Sequence, residues 1–210
     1  MTSPTTNRTY PRGMQSSARM IDDTVIESVA QNGYGTANGT TVSAAEYGNK
    51  FLHQTVLTCT ATPITISDDA GTAQYGGVKI YDFPEGLLLT LGAVIDGSLT
   101  AGVTGTVIAT YDGDVALGTA TATTGATLTS TEADILQSTA LTQAVAKVAN
   151  CDAVSIATAL TESGARWHDG TATAKDLYLN FVIDDDATHT AGTATFTGVV
   201  YITWINLGDK

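Results

Sequence analysis

Residues 192–207 read GTATFTGVVYITWINL and alternate between two kinds of side chain. Every second residue from Ala194 to Trp204 is apolar or glycine, whereas the residues between them, beginning at Thr193, are mostly threonine. Successive side chains of a strand point to opposite faces of a sheet. This period of two therefore predicts a half-buried β-strand that turns its Ala194 to Trp204 side to the core.

Comparable strand-like runs fill most of the chain from residue 51 onward, and turn-forming pairs such as Asp96-Gly97, Asp112-Gly113 and Asp169-Gly170 fall among them. The runs are residues 51–61, 63–67, 77–84, 87–99, 105–113, 114–123, 153–160 and 176–184. Because helices do not alternate with these strands, the pattern predicts an all-β fold, a jelly-roll or Greek-key β-sandwich, rather than a βαβ protein.

Two segments favour helix instead of strand. Residues 20–29 carry apolar residues at helical offsets and predict a short N-terminal helix. Residues 129–149 combine Thr129 and Glu132 at capping-box spacing with a helical pattern, which predicts one inserted helical segment. Residues 1–17 are polar and contain two prolines, so we expect an extended N-terminal arm. The predicted domains are residues 1–50, with arm, helix and linker, and residues 51–210, the β-sandwich.

Charge is distributed unevenly along the chain. The formal net charge is −12, yet the first 20 residues contain Arg8, Arg12 and Arg19 and none of the 21 acidic residues. Such an acidic body argues against nucleic acid as a partner, because phosphate binding needs Lys and Arg. The basic arm is either a solvated terminus or a tether that docks on an acidic neighbour, including another copy. On the second interpretation Arg8, Tyr10, Arg12 and Arg19 are the partner-binding residues.

Catalytic motifs are missing from the sequence. The three histidines, His53, His168 and His189, are scattered, and no nucleophile elbow, HExxH or Walker-type loop occurs. The sequence therefore predicts a protein that is not an enzyme and that needs no cofactor.

The best candidate for a metal site is Asp184-Asp185-Asp186, because carboxylate oxygens are the ligands that Ca²⁺ prefers. Adjacent strand residues point to opposite faces, however, so a solvated turn is the favoured interpretation and no metal site is predicted.

Trp167 and Trp204 allow a sugar-stacking platform if they are exposed, but burial in the core is the favoured interpretation for both. Cys59 and Cys151 form no metal-binding or disulfide pattern and are predicted to be small core residues. The chain shows no secretory signal and no apolar run long enough to span a bilayer, so we expect synthesis in a cytoplasm-like compartment and no membrane partner.

The most distinctive stretches of the sequence are GGVKIYDFPEGLLLTLGAVIDGSLTAG (76–102), GDVALGTATATTGATLTSTEADIL (113–136), and the segment 159–209 that ends in GVVYITWINLGD. Together they resemble structural proteins encoded beside the major capsid gene of tailed bacteriophages. The resemblance implies a head decoration, or cement, protein. Such a protein is a β-sandwich on the capsid exterior, often a homotrimer, that binds the major capsid protein and ties neighbouring subunits together.

Two other functions stay open from the sequence. A tail, collar or fibre subunit of a phage would also be rich in β-strands, Gly and Thr, and copy number in the virion distinguishes it from a decoration protein. A carbohydrate-binding β-sandwich module is the second alternative, and it requires Trp167 or Trp204 to be exposed.

Overall fold

The computed structural model describes residues 35–48, 52–68, 73–101, 112–125, 127–145, 148–154, 167–184 and 191–208. Strands make up 73% of the structure, and no α-helix occurs among these residues. The all-β prediction is therefore confirmed. No helix in this part of the chain is long and apolar enough to cross a membrane.

The strands are numbered in chain order. They are β1 Thr36–Ala37, β2 Val42–Gly48, β3 Leu52–Asp68, β4 Ala73–Asp82, β5 Gly86–Ala101, β6 Asp112–Gly118, β7 Leu136–Ala140, β8 Thr142–Val145, β9 Val148–Asn150, β10 Ala153–Val154, β11 Trp167–Gly170, β12 Asp176–Asp184 and β13 Gly192–Asn206.

The strands form two layers, and every pairing between them is antiparallel. In sheet A, the order is β2, β3, β13 and β5, and the free side of β5 pairs with β9, β10 and β11 along its length. In sheet B, β7, β6, β12 and β4 follow one another, with β1 on the far side of β4. The long strand β3 joins the layers, because its last residues, Ser67 and Asp68, pair with β4. The result is a nearly closed antiparallel sheet.

The main core lies between the two layers. Its largest fully buried side chains are Trp204, Tyr81, Phe181 and Phe196, and aliphatic residues from both sheets surround them. Strand β13 shows the alternation that its sequence predicts: Ala194, Phe196, Val200, Ile202 and Trp204 are completely buried. Burying a large apolar side chain contributes about 1.5–3 kcal/mol, so this strand anchors sheet A to the core.

The predicted helix over residues 129–149 is wrong. A single 3₁₀ turn spans Ser130–Glu132, and the chain then enters the short strands β7, β8 and β9. Strand β7 pairs with β6, and Ile135, Leu136 and Leu141 are buried in the core. Pairing and burial in the sheet outweigh the helical spacing of these apolar residues.

The predicted turn at Asp96-Gly97 is also wrong, because both residues lie inside β5. A Cβ atom at Gly97 would lie 2.7 Å from Cζ of Phe196 on the neighbouring strand. The glycine therefore makes room for an aromatic ring and does not turn the chain.

Residues 42–48 form β2 and pair with β3, so sheet A begins before residue 51. The predicted N-terminal helix and the arm lie outside the described residues.

Candidate interaction surface

The outward face of sheet A carries two rows of apolar side chains that cross its strands. Residues paired in register point to the same side of a sheet, so each row follows from the strand pairing. The first row consists of Ala45, Val56, Tyr201, Val94 and Val154. The second row consists of Leu52, Ile205, Leu89 and Trp167. We call the two together the apolar rows.

Several side chains of the apolar rows are open to solvent. Val154 is 60% exposed, Trp167 51%, Leu52 43% and Tyr201 38%. Leu91, at 38%, adds to the surface, because the register of β5 against β13 shifts beside it. The two rows are not adjacent, because Tyr47, Gln54 and Thr203 form an outward row between them. With strands about 4.8 Å apart and a rise of about 3.4 Å per residue, the face that spans both rows measures about 500 Å², part of it polar but uncharged. Exposed surfaces of this size that are rich in apolar side chains often have a function.

The apolar rows contain no charged side chain, although the protein as a whole carries a net charge of −12. Asp96 and Asp152 lie beyond the first row, at one end of the face, and Asp169 lies beyond the second row. Carboxylates thus border an uncharged centre. A centre without charged residues, surrounded by a polar rim, is the usual composition of a protein–protein contact.

The outward face of sheet B, by contrast, is covered by its own chain. Ala122 and Leu128 pack over Ala73, Ala116 and Val182 and form a second, smaller core.

The amide group of Asn180 fixes this covering segment to sheet B. Its Oδ1 accepts a hydrogen bond from the Ala122 N–H at 2.9 Å, and its Nδ2 donates to the carbonyls of Ala120 and Glu132, both at 2.8 Å. None of the described segments covers the apolar rows of sheet A in this way.

The predicted partner-binding residues Arg8, Tyr10, Arg12 and Arg19 lie outside the described residues, so they stay predictions. Asp184 ends β12, whereas Asp185 and Asp186 lie outside the described residues as well. Within the part of the chain that the structure describes, no three His, Cys, Asp or Glu residues are grouped to hold a metal ion.

The two tryptophans have opposite environments. Trp204 is fully buried, as predicted, but Trp167 is 51% exposed, so its predicted burial is wrong. Trp167 lies on β11, where it pairs with Leu89 at the side of sheet A, and its indole points outward. The half-exposed ring is the one feature that the carbohydrate-binding alternative required.

A buried polar network joins the two sheets behind the apolar rows. Glu46 on β2 is only 3% exposed, and its carboxylate accepts hydrogen bonds from the hydroxyls of Tyr81 on β4 and Thr55 on β3. The Thr55 oxygen accepts the indole N–H of Trp204 at 2.8 Å, and the Tyr81 oxygen accepts the N–H of Gly35 at 2.9 Å. Two hydroxyls therefore donate to the carboxylate, and each hydroxyl oxygen accepts a hydrogen bond from an N–H group in turn.

Burial sets the proton affinity of this network. Desolvation raises the pKa of Glu46 to about 6, although the hydrogen bonds from Tyr81 and Thr55 oppose the shift. Desolvation also raises the pKa of Tyr81, and the neighbouring Glu46 carboxylate adds to the effect. Glu46 thus changes charge near pH 6, where the phenol of Tyr81 keeps its proton.

A hydroxyl, an imidazole and a carboxylate also meet beside β11. Nε2 of His168 lies 3.3 Å from Oγ1 of Thr90, and Nδ1 lies 3.6 Å from Oδ2 of Asp134. Asp134 is fixed by the N–H and the hydroxyl of Thr119, at 2.8 and 2.7 Å.

The order of groups in this cluster is that of a catalytic triad, but Thr90 is only 3% exposed and His168 only 4%. Burial raises the pKa of Asp134 and lowers that of His168, which favours the neutral form of each. We interpret the cluster as a structural connection between sheet A and the segment that covers sheet B.

Both cysteines are buried, as predicted, and burial raises the pKa of the Cys59 thiol to about 11 and that of Cys151 to about 12. His53 is buried too, and its ring stacks on Trp204 with centroids 4.0 Å apart. These residues are part of the core.

Sequence reasoning did not identify the apolar rows. Part of the signal was present: in β13, Val199 and Tyr201 interrupt the threonines of the outward side. The rest required the register, because Val56, Val94 and Val154 become neighbours only when their strands pair.

No protein-family model, no curated protein and no solved structure matches this chain.

Proposed function

We propose that this chain is a non-enzymatic structural protein that binds the outer surface of a bacteriophage capsid and ties neighbouring subunits together. The observation that carries the proposal is the uncharged, exposed surface formed by the apolar rows of sheet A. A water-exposed apolar surface bordered by carboxylates suits contact with another protein. The sequence resemblance to phage head proteins is the basis for the proposed location, the exterior of the virion, and for the proposed partner, the major capsid protein. The chain would be synthesised in the host cytoplasm.

Charge supports the same role. The acidic body is repelled by packaged DNA, and the basic arm with Arg8, Arg12 and Arg19 offers a second contact to an acidic neighbour. Two linked weak contacts bind far more tightly than either alone, and a shell presents many copies of each. Self-association is part of the proposal, with a homotrimer as the oligomer that the resemblance implies.

Binding of the purified chain to phage heads that lack it tests this function. We expect the wild-type chain to sediment with the heads and Tyr201→Lys to bind at least about tenfold more weakly, because the lysine places a charge at the centre of the contact. Thr173→Lys, which adds the same charge in the exposed segment between β11 and β12, serves as the matched control. Failure of the wild-type chain to bind heads would refute the proposal.

The exposed Trp167 favours a second candidate, a carbohydrate-binding module. Asp169 points outward on the same strand two residues away, and its Oδ1 is held by the hydroxyl of Thr171 at 2.7 Å. An indole face can stack on a sugar ring while the neighbouring carboxylate accepts a hydrogen bond from a sugar hydroxyl. Calorimetric titration with soluble bacterial surface polysaccharides tests it, since only this candidate predicts saturable heat that Trp167→Ala abolishes.

A further inference from the structure

We propose that the partner on the apolar rows is a second copy of this chain, packed face to face. The proposal rests on the proposed function, in which this surface contacts a neighbouring protein on the shell. It adds that this neighbour is another copy of the chain: the apolar rows hold two copies together, and the contact with the capsid proposed above then falls to the basic arm and to other surfaces.

The distribution of charge is the first reason. Lys79 and Lys175 are the only Lys or Arg among the described residues, and Lys79 is already paired with Asp82 at 2.7 Å and Asp176 at 3.5 Å. A second acidic copy that approaches most other described surfaces meets carboxylates with few cations to balance them. The apolar rows contain no charge, so two copies repel each other least there.

Size and shape are the second reason. Two copies that cover about 500 Å² each bury about 1,000 Å² in total, which reaches the lower limit of specific protein–protein contacts. Tyr201 lies on β13, the middle one of the five strands crossed by the first row, so a two-fold axis that lies between the two faces and runs along β13 brings the two Tyr201 side chains together. Two twisted sheets pack in this manner in β-sandwiches.

The rim predicts how the contact responds to salt. Asp96, Asp152 and Asp169 border the apolar rows, so a face-to-face pair brings carboxylates of two copies near each other at its edge. Added salt screens this repulsion, and we expect association to strengthen as the ionic strength rises.

A face-to-face contact is two-fold and joins chains in even numbers. Light scattering on the full-length chain should therefore give a dimer, or six chains where three-fold contacts also form. Tyr201→Lys should weaken the pairing about 30-fold or more, as expected for a central aromatic residue, whereas Thr173→Lys should leave it unchanged. Thermal unfolding of both variants checks that they are folded.

Thiol labelling of Val154→Cys in the full-length chain separates a second copy from other occupants. Val154 is 60% exposed and closes the first row, and the native cysteines are buried. If copies pair, labelling slows at least about tenfold as protein concentration rises through the pairing range. Ala172→Cys, in the exposed segment after β11, should label at one rate throughout.

Two labelling results overturn the pairing. Slow labelling at every concentration means that another part of the same chain covers the face, and fast labelling at every concentration means that the face stays open. A monomer or an isolated trimer in solution also overturns it. If the chain is a monomer and still binds heads through Tyr201, the pairing is refuted and the proposed function stands. If the chain is a stable dimer that fails to bind heads, the proposed function is refuted and the pairing stands.

Discussion

The phenol of Tyr81 on β4 donates a hydrogen bond to the carboxylate of Glu46 on β2, across the interior of the protein. The two residues belong to different sheets and are 35 positions apart in the chain. Thr55 and Trp204 extend the connection into β3 and β13. The Glu46 carboxyl therefore accepts hydrogen bonds from both sheets, and Glu46, Thr55 and Trp204 lie on the inner side of strands whose outer side carries the apolar rows.

The wild-type protein should lose stability as the pH rises from about 4.5 to about 6. The pKa of Glu46 is raised from 4.5 to about 6 in the folded state, so the folded protein holds this proton more tightly than the unfolded chain. Protonated Glu46 therefore stabilises the folded protein fully below pH 4.5, and this contribution is lost as the pH rises through 6. The free energy of unfolding falls by about 2 kcal/mol over this range.

Urea unfolding of wild type and Glu46→Gln at several pH values measures this effect. Other groups titrate in both proteins, since Asp134 also has a raised pKa and His168 a lowered one, so the difference between the two curves isolates Glu46. Equal pH dependence in both proteins would show that Glu46 is not the group responsible.

Thr55→Val should destabilise the protein by about 2–3 kcal/mol, because it leaves the buried indole N–H of Trp204 without an acceptor and removes a donor to Glu46. The same change at Thr58, which is exposed on the outward side of β3, is the control and should shift the free energy of unfolding by less than about 0.5 kcal/mol. Equal effects at the two sites would contradict the proposed importance of the network.

Asn180→Asp should release the segment that covers sheet B. The new carboxylate cannot donate to the carbonyls of Ala120 and Glu132, and it places a charge at a fully buried position. We expect a loss of about 2–4 kcal/mol and faster proteolytic cleavage within residues 119–135. Gln137→Glu makes the same chemical change at an exposed site and should leave the cleavage rate unchanged.

Gly97→Ala should destabilise the protein by about 1–3 kcal/mol, as overpacking of a well-packed core does. The added methyl group would lie 2.7 Å from Cζ of Phe196 and 2.7 Å from the carbonyl oxygen of Thr197. Chemical denaturation measures the change, and Ser98→Ala at the next position is the control. A stability equal to that of wild type would mean that Phe196 moves aside without cost.

Periodicity in the sequence predicted the strand content and the buried side of β13, because both depend on neighbouring residues. It failed at Asp96-Gly97, because the glycine leaves room for the Phe196 ring of a neighbouring strand and does not form a turn. It also failed over residues 129–149, because pairing with β6 outweighs the helical spacing there. The apolar rows and the Glu46 network depend on register between distant strands. Such pairings depend on the packing of the whole core, so the local sequence of one strand does not reveal which residues of another strand lie beside it.

The number of copies in purified virions tests the functional claim most directly. Quantitative mass spectrometry of phage particles should find this chain in amounts comparable to those of the major capsid protein, because a protein that ties capsid subunits together must recur across the shell. Absence of the chain from virions, or only a few copies per particle as in a tail, collar or fibre, would contradict a role in decorating the capsid.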